Sequence, residues 1–309
     1  MNKLSRRDFF RNSAIAAAGI TLSEKFDELT PAAEKNSLPY NVVKEAARYR
    51  KIDAHEHVGL TGTIEYQIGM ADRLGIEKLV VSKIISADSN SKATPDEVRA
   101  CNDSVLEVMK KYPDRYLGWC FVNPQNTKES LEEINRCTGE GMIGLKVYNQ
   151  VKINHPLFYP IIEKMIDLKM IILMHAHCGL GVGGKRTKYG NIQPNSSIPE
   201  DFAEAAERYP EAMFQYAHTG GGGDWEYACK MLGKYPNVYI DTSGSNNEGG
   251  MVNFTVKHFG ENRVFFGTDG SYYQGVGVVL SSDLTEKQKH KLFFDNFNEV
   301  LRKSGNNIK

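Results

Sequence analysis

Charge of one sign is missing as a theme in this sequence: 38 basic and 38 acidic side chains among 309 residues leave a formal net charge of zero. Without a basic run or stripe there is no electrostatic footprint for phosphates, so no nucleic-acid partner is expected. Cysteine is scarce. The five present, Cys101, Cys120, Cys137, Cys178 and Cys229, are odd in number and widely scattered, which argues against a disulfide framework. None stands in a C-x-x-C pair, so a thiolate zinc site is not expected. An apolar run of the ~20 residues needed to cross a bilayer is absent too, which excludes stable membrane insertion from the expectation. Internal repeats and low-complexity segments are lacking. What remains, 41% hydrophobic and 25% charged residues, is ordinary for a soluble globular protein and leaves room for a homodimer.

Near the start, Ser5-Arg6-Arg7-Asp8-Phe9-Phe10 precedes a weakly apolar, Ala-rich stretch from Ala14 to Leu22. A charged region followed by about 7–15 apolar residues is the layout of an export signal. Paired arginines followed by Phe resemble the twin-arginine type, which is read by a receptor and does not anchor. Residues 1–25 are therefore expected to be a twin-arginine-type export signal, 26–48 a linker and 49–305 the folded domain. The location that follows is periplasmic or exported, and cytoplasmic should the signal not be read. An amphipathic helix that happens to carry two arginines is the alternative.

From Arg50 onward short apolar runs recur at residues 52–57, 79–85, 116–122, 143–147, 170–175, 213–218, 238–241 and 264–269. They are rich in β-branched or aromatic residues and bounded by Gly, Pro, Asn or Asp, as buried parallel strands are. Helix-like stretches separate them, at 64–74, 95–111, 128–137, 157–168, 199–208 and 225–235, with a last one from 286 to about 302. Leu157, Ile161, Ile162, Met165 and Leu168, for example, recur at three- and four-residue intervals and form one apolar helical face. Strands alternating with helices predict parallel pairing. Strand ends from His57 to Asp269 recur about every 30 residues, as they do when ~250 residues are shared among the eight units of a β/α barrel. The expected architecture is a single-domain α/β fold, a (β/α)8 TIM barrel. An open doubly wound sheet is the alternative, but His57-Val58-Gly59-Leu60 lacks the G-x-G-x-x-G of its first turn.

Of eight histidines, His55, His57, His175 and His218 fall at the C-terminal ends of the first, fifth and sixth strands, and Asp269 ends the eighth. In a β/α barrel those ends converge on the face where active sites are built. His55 and His57 are two apart on a strand, so their side chains share one side and point into the barrel mouth. Two imidazoles on one side can bind a cation at ~2.0–2.1 Å per nitrogen, and His175 and Asp269 would complete a shell with a position left open. Alone, a His-x-His is more often a core pair, and a strand-terminal Asp is commonly a helix N-cap. Their conjunction at matching strand ends has no comparable structural explanation.

Asp53-Ala54-His55-Glu56-His57, Gly144-Leu145-Lys146-Val147, Met174-His175, Ala217-His218-Thr219-Gly220-Gly221 and Phe266-Gly267-Thr268-Asp269 resemble the signature segments of the amidohydrolase superfamily. Within it they look like the amidohydrolase-related branch of metal-dependent hydrolases, which also includes aminocarboxymuconate-semialdehyde decarboxylase, γ-resorcylate decarboxylase and several lactonases. The resemblance covers residues 50–303. It implies one divalent metal ion, zinc with manganese as the alternative, held by His55, His57, His175 and Asp269. It also implies that His218 contacts metal-bound water or substrate. Strand five ends His175-Ala176-His177, so His177 becomes a loop residue facing substrate if His175 is the ligand. Lys146 stands where distant superfamily members carry a carboxylated lysine between two metals; here it is expected to be structural or substrate-facing. Asp241 and Arg186 are further substrate-contact candidates, since Arg pairs with carboxylates in a bidentate fashion. The loop around Arg186 is equally well read as simply solvated.

The chemistry expected first is hydrolysis of an ester, lactone or amide bond in a small molecule. A divalent ion lowers the pKa of bound water to about 7. Asp269 would act as general base, and His218 would stabilise the developing oxyanion. Non-oxidative decarboxylation of a small aromatic or unsaturated carboxylic acid by the same shell is the second reading, and a non-catalytic binding barrel the third.

Overall fold

The computed structural model describes residues 40–85, 92–176, 195–219, 225–244 and 249–309. Eight strands run through them: β1 (Lys51–His57), β2 (Ile76–Ser82), β3 (Tyr116–Phe121), β4 (Gly144–Val147), β5 (Ile171–Met174), β6 (Met213–Tyr216), β7 (Val238–Asp241) and β8 (Val264–Phe265). Each pairs in parallel with its sequence neighbour, β1 through β8 in order. Two backbone hydrogen bonds bring the ring round: Ala54 N donates to Phe266 O (2.9 Å), and Asp269 N donates to His55 O (2.8 Å). The result is the expected (β/α)8 TIM barrel.

A short α1 (Val42–Ala46) leads in. Then α2 (Ile64–Leu74), α3 (Pro95–Lys111), α4 (Thr127–Gly139), α5 (Tyr159–Asp167), α6 (Pro199–Arg208), α7 (Trp225–Leu232) and α8 (Gly249–Phe259) follow β1 to β7 in turn. After β8 come α9 (Tyr272–Leu280), α10 (Glu286–His290), a π-helical segment (Lys291–Asp295) and α11 (Asn296–Lys303). Helix starts follow local chemistry. At α3 the Thr94 hydroxyl accepts from Glu97 N while the Glu97 carboxylate accepts from Thr94 N, with Pro95 in the first turn. Helices α8 and α9 have no counterpart in the sequence pattern. Tyr272–Leu280 reads YYQGVGVVL, whose glycines and valines are poor helix formers, and burial of most of its residues overrides that preference. The continuous last helix expected from residue 286 is instead interrupted by the π-helical segment.

Apolar residues sort into two shells. In β5, Ile171 and Leu173 face the barrel interior while Ile172 and Met174 pack against the surrounding helices. Trp119, Phe265 and Tyr239 fill the floor of the barrel, and α11 plugs it from below with Phe297, 5.8 Å from the Trp119 ring and 5.2 Å from Phe265. Gly144 makes room for Trp119: a Cβ there would stand 2.4 Å from its ring and 2.7 Å from Ile171 O. A filled floor leaves the opposite, C-terminal rim as the mouth.

Candidate active site

β1 supplies the first two histidines, and a β-bulge aims them. Its register with β2 pairs Asp53 with Leu79 and then Glu56 with Val81, so three steps on β1 match two on β2. Leu79 and Val81 face the helices, whereas Ile52 and Ala54 face the barrel interior. Strict alternation from Ala54 would turn His57 outward, on the side of Asp53. The extra residue reverses this, so His55 and His57 both reach the mouth and Glu56 stays behind it.

The remaining donors sit just beyond strands. His175 follows β5 by one residue, His218 follows β6 by two and Asp269 follows β8 by four. His218 and Asp269 are left-handed, with φ of 72° and 47°. Such strain in a non-glycine residue is on the order of 1–3 kcal/mol and persists only where surroundings enforce it. Here the His218 amide donates to Asp241 Oδ1 (3.2 Å) and the Asp269 amide to His55 O.

His57 Nε2 lies 3.2 Å from Asp269 Oδ1, His55 Nε2 lies 3.9 Å from the same oxygen, and His218 Nδ1 lies 3.7 Å from Asp269 Oδ2. One ligand atom each from His55, His218 and Asp269 fall within 4.8 Å of one another. Around an ion with bonds of about 2.0–2.1 Å, neighbouring ligand atoms stand roughly 3–3.5 Å apart. The separations of His57 and His55 from Asp269 already stand close to that spacing.

Asp241 orders the rings from beneath. It is fully buried, and its oxygens are taken by protein donors rather than turned to the mouth as a substrate contact would be. Oδ2 accepts from Gln215 Nε2 (2.9 Å) and faces His55 Nδ1 (3.0 Å). Oδ1 accepts from the amides of His218 and Ser243 and from the Ser243 hydroxyl (2.5 Å). Burial alone would raise this carboxyl, but His55, His218 and Ser243 hold it well below the usual carboxylate range. Burial, then the charge of Lys146, pushes His55 down to about 4, so its ring is neutral. The neutral ring gives its Nδ1 proton to Asp241 and keeps a lone pair at Nε2. Ser243, having donated to Asp241, can only accept from His218 Nδ1 (2.9 Å). His218 Nε2 is then an acceptor, and His175 Nδ1, 3.0 Å away, donates to it. The chain ends at His175 Nε2, a buried lone pair without a hydrogen-bond partner among the described residues. That orphaned nitrogen, the lone pair of His55, His57 and a carboxylate held ionised by His55, His57 and His218 against its own burial form a donor set that fits a divalent metal ion.

Several supporting residues escaped sequence reasoning. Ser82 Oγ holds His57 Nδ1 at 2.9 Å. Gln215, a polar residue at an inward position of β6, could have been found from strand alternation. The Tyr148 ring stacks on His175 at 4.1 Å between centroids, and nothing in the sequence marks it. Behind the mouth, the Thr268 hydroxyl lies 2.5 Å from Asp53 Oδ2 and 3.0 Å from Glu56 Oε2. One hydroxyl proton cannot serve both, and burial pushes Glu56 up to about 7 and Asp53 well above its ordinary value, so the pair retains a proton. Lys146, fully buried, places Nζ 2.8 Å from His55 Nε2, and burial pushes its ammonium down to about 8. His177 and Arg186 lie outside the described residues.

A family model described as Amidohydrolase matches residues 52–302. The 2-amino-3-carboxymuconate-6-semialdehyde decarboxylase of Dictyostelium discoideum is 24% identical over 242 residues, covering 67% of this chain. The chain spans 66% of that relative's length. The gamma-resorcylate decarboxylase of Polaromonas sp. strain JS666 is 23% identical over 247 residues, covering 66% of this chain and 75% of its own. The crystal structure of a dihydroxybenzoic acid decarboxylase from Polaromonas sp. JS666, with bound manganese and the inhibitor 2-nitroresorcinol, shares the fold. Its TM-score is 0.66 at 16% identity, covering 82% of this chain and 97% of that one. These relatives correct the expectation of a hydrolase, because all three are decarboxylases. The ligand shell is common to both chemistries, so the histidine pattern could not separate them. The family match begins inside β1 and ends inside α11, taking in the barrel and every described site residue, and the chain belongs to the amidohydrolase family.

Proposed function

We propose that this chain is a metal-dependent, non-oxidative decarboxylase of a small aromatic or unsaturated carboxylic acid. The observation that carries this is the convergence of four imidazoles and Asp269 on one mouth, in a chain whose relatives are decarboxylases. His55, His57, Asp269 and Nε2 of His175, unpartnered among the described residues, would hold a divalent ion, manganese as in the structural neighbour or zinc, which when bound supplies a Lewis acid for a carboxylate or phenolate oxygen. Loss of carbon dioxide leaves the electron pair of the broken carbon–carbon bond on the substrate carbon, and that carbon takes one proton. Asp269, with 28% of its side chain exposed, stands at the edge of the cluster. It takes the proton from the acidic group of the bound substrate and returns it to the carbon, so no water is consumed. His218, held by Ser243 and Asp241, keeps that carboxylate in place. The Tyr148 ring, stacked on His175, offers a flat wall to a planar acid.

The test is direct. Enzyme loaded with Mn2+ and offered 2,6-dihydroxybenzoate and related ortho-hydroxy or unsaturated acids should release carbon dioxide in step with acid consumed, with no oxygen from labelled water entering the organic product. Cleavage of esters or lactones without any release of carbon dioxide, by protein that holds its metal, would sink the proposal.

A further inference from the structure

Lys146 lies on the inward row of β4, two residues above Gly144, and none of it is exposed. Among the described residues its Nζ has one hydrogen-bond partner, His55 Nε2 at 2.8 Å. That nitrogen carries the lone pair of His55, because Asp241 receives the Nδ1 proton. A metal ion bound along the same lone pair at about 2.0–2.1 Å would stand within roughly 1 Å of where Nζ now is. Ion and ammonium cannot share the position. We propose that Lys146 is a tethered cation that occupies His55 Nε2 in the metal-free protein, so that metal uptake is an exchange in which the ion must displace it. This rests on the reading of the site as a metal centre.

Two consequences follow from the charges. Asp241 and Asp269 are carboxylates beside neutral imidazoles, and the ammonium balances them when no ion is present, so the metal-free barrel keeps its site assembled. The same ammonium opposes the incoming ion, since like charges a few ångströms apart repel strongly in a site of low polarisability. Lys146 therefore weakens metal affinity and stabilises the empty state. A lysine that served as a ligand or as a bridge between two ions would do the reverse.

Mn2+ binding can be followed by loss of the free-ion electron paramagnetic resonance signal in the wild type, Lys146→Met and Lys146→Gln. Chelator-treated samples are melted in parallel. Both variants should bind Mn2+ at least roughly tenfold more tightly than the wild type. Both should also lose more melting temperature on chelation, because nothing replaces the ion at His55. Affinity within about twofold of the wild type, or weaker, overturns the proposal. Lys146→Gln keeps a polar end and reads the same effect should Lys146→Met fail to fold. If no form of the protein binds Mn2+, the metal-centre reading falls and this inference with it. If the wild type binds and the variants match it, only the role of Lys146 falls.

Discussion

Asp241 is not exposed at the barrel mouth, yet it sets the tautomers of His55 directly and of His218 and His175 through Ser243. A carboxylate can do this because both its oxygens only accept. An amide in its place must present an NH2 group, which meets either the His55 side or the Ser243 side with a donor where an acceptor is needed. Asp241→Asn is isosteric, so the packing beneath the histidines should survive while the rings lose their assigned protons. Outer partners of this kind typically carry ~10–100-fold in metal affinity. Mn2+ titration of Asp241→Asn is expected to show a loss of that size. Unchanged affinity would mean that the rings are oriented by packing alone.

β1 meets opposite demands at its two ends. At the mouth its bulge turns His55 and His57 inward. At the floor Lys51 is fully buried, with Nζ donating to the carbonyl oxygens of Ala46 and Tyr49 and lying 5.0 Å from the Phe293 ring. No carboxylate among the described residues pairs with it there, and burial pushes its ammonium from an ordinary 10.5 down to about 7. The unfolded chain keeps the lysine proton up to a higher pH than the folded one does. Between about pH 7 and 10 the unfolded state therefore binds more protons, and folding gains stability as the pH rises; below that window the buried charge is a full penalty. Lys51→Met removes this dependence. Urea unfolding at pH 7 and pH 9 should show the wild type gaining on the variant by at least about 1 kcal/mol. A difference that ignores pH would show that Lys51 keeps its ordinary proton affinity when folded.

At the scale of the whole chain, residues 1–39 lie outside the described part of the structure, and no helix among the described residues is long and apolar enough to cross a membrane. The site draws on residues at the exits of β1, β6 and β8, so it exists only once the barrel has folded. A route that carries folded proteins suits such a site, and we propose that Arg6 and Arg7 direct the chain to it. Replacing both with Lys should leave the protein in the cytoplasm on cell fractionation, and an unaltered distribution would show that the pair is not read.

Much of this was legible in the sequence. Apolar runs about 30 residues apart are the signature of a barrel because each unit must bury a strand and return through a helix. Histidines at the ends of those runs point to a metal centre because the barrel gathers strand ends on one rim. Other features required residues far apart in the chain. The parity of His55 and His57 depends on a bulge against β2, the protons of three rings depend on Asp241 and Ser243, and Lys146 meets His55 only when β4 and β1 share an interior. Helix α9 forms despite its glycines because its neighbours bury it. Local pattern determined which residues stand at the strand ends; only tertiary packing decided which way they turn and where their protons and charges lie, because those are set by the partners that each residue meets across the barrel.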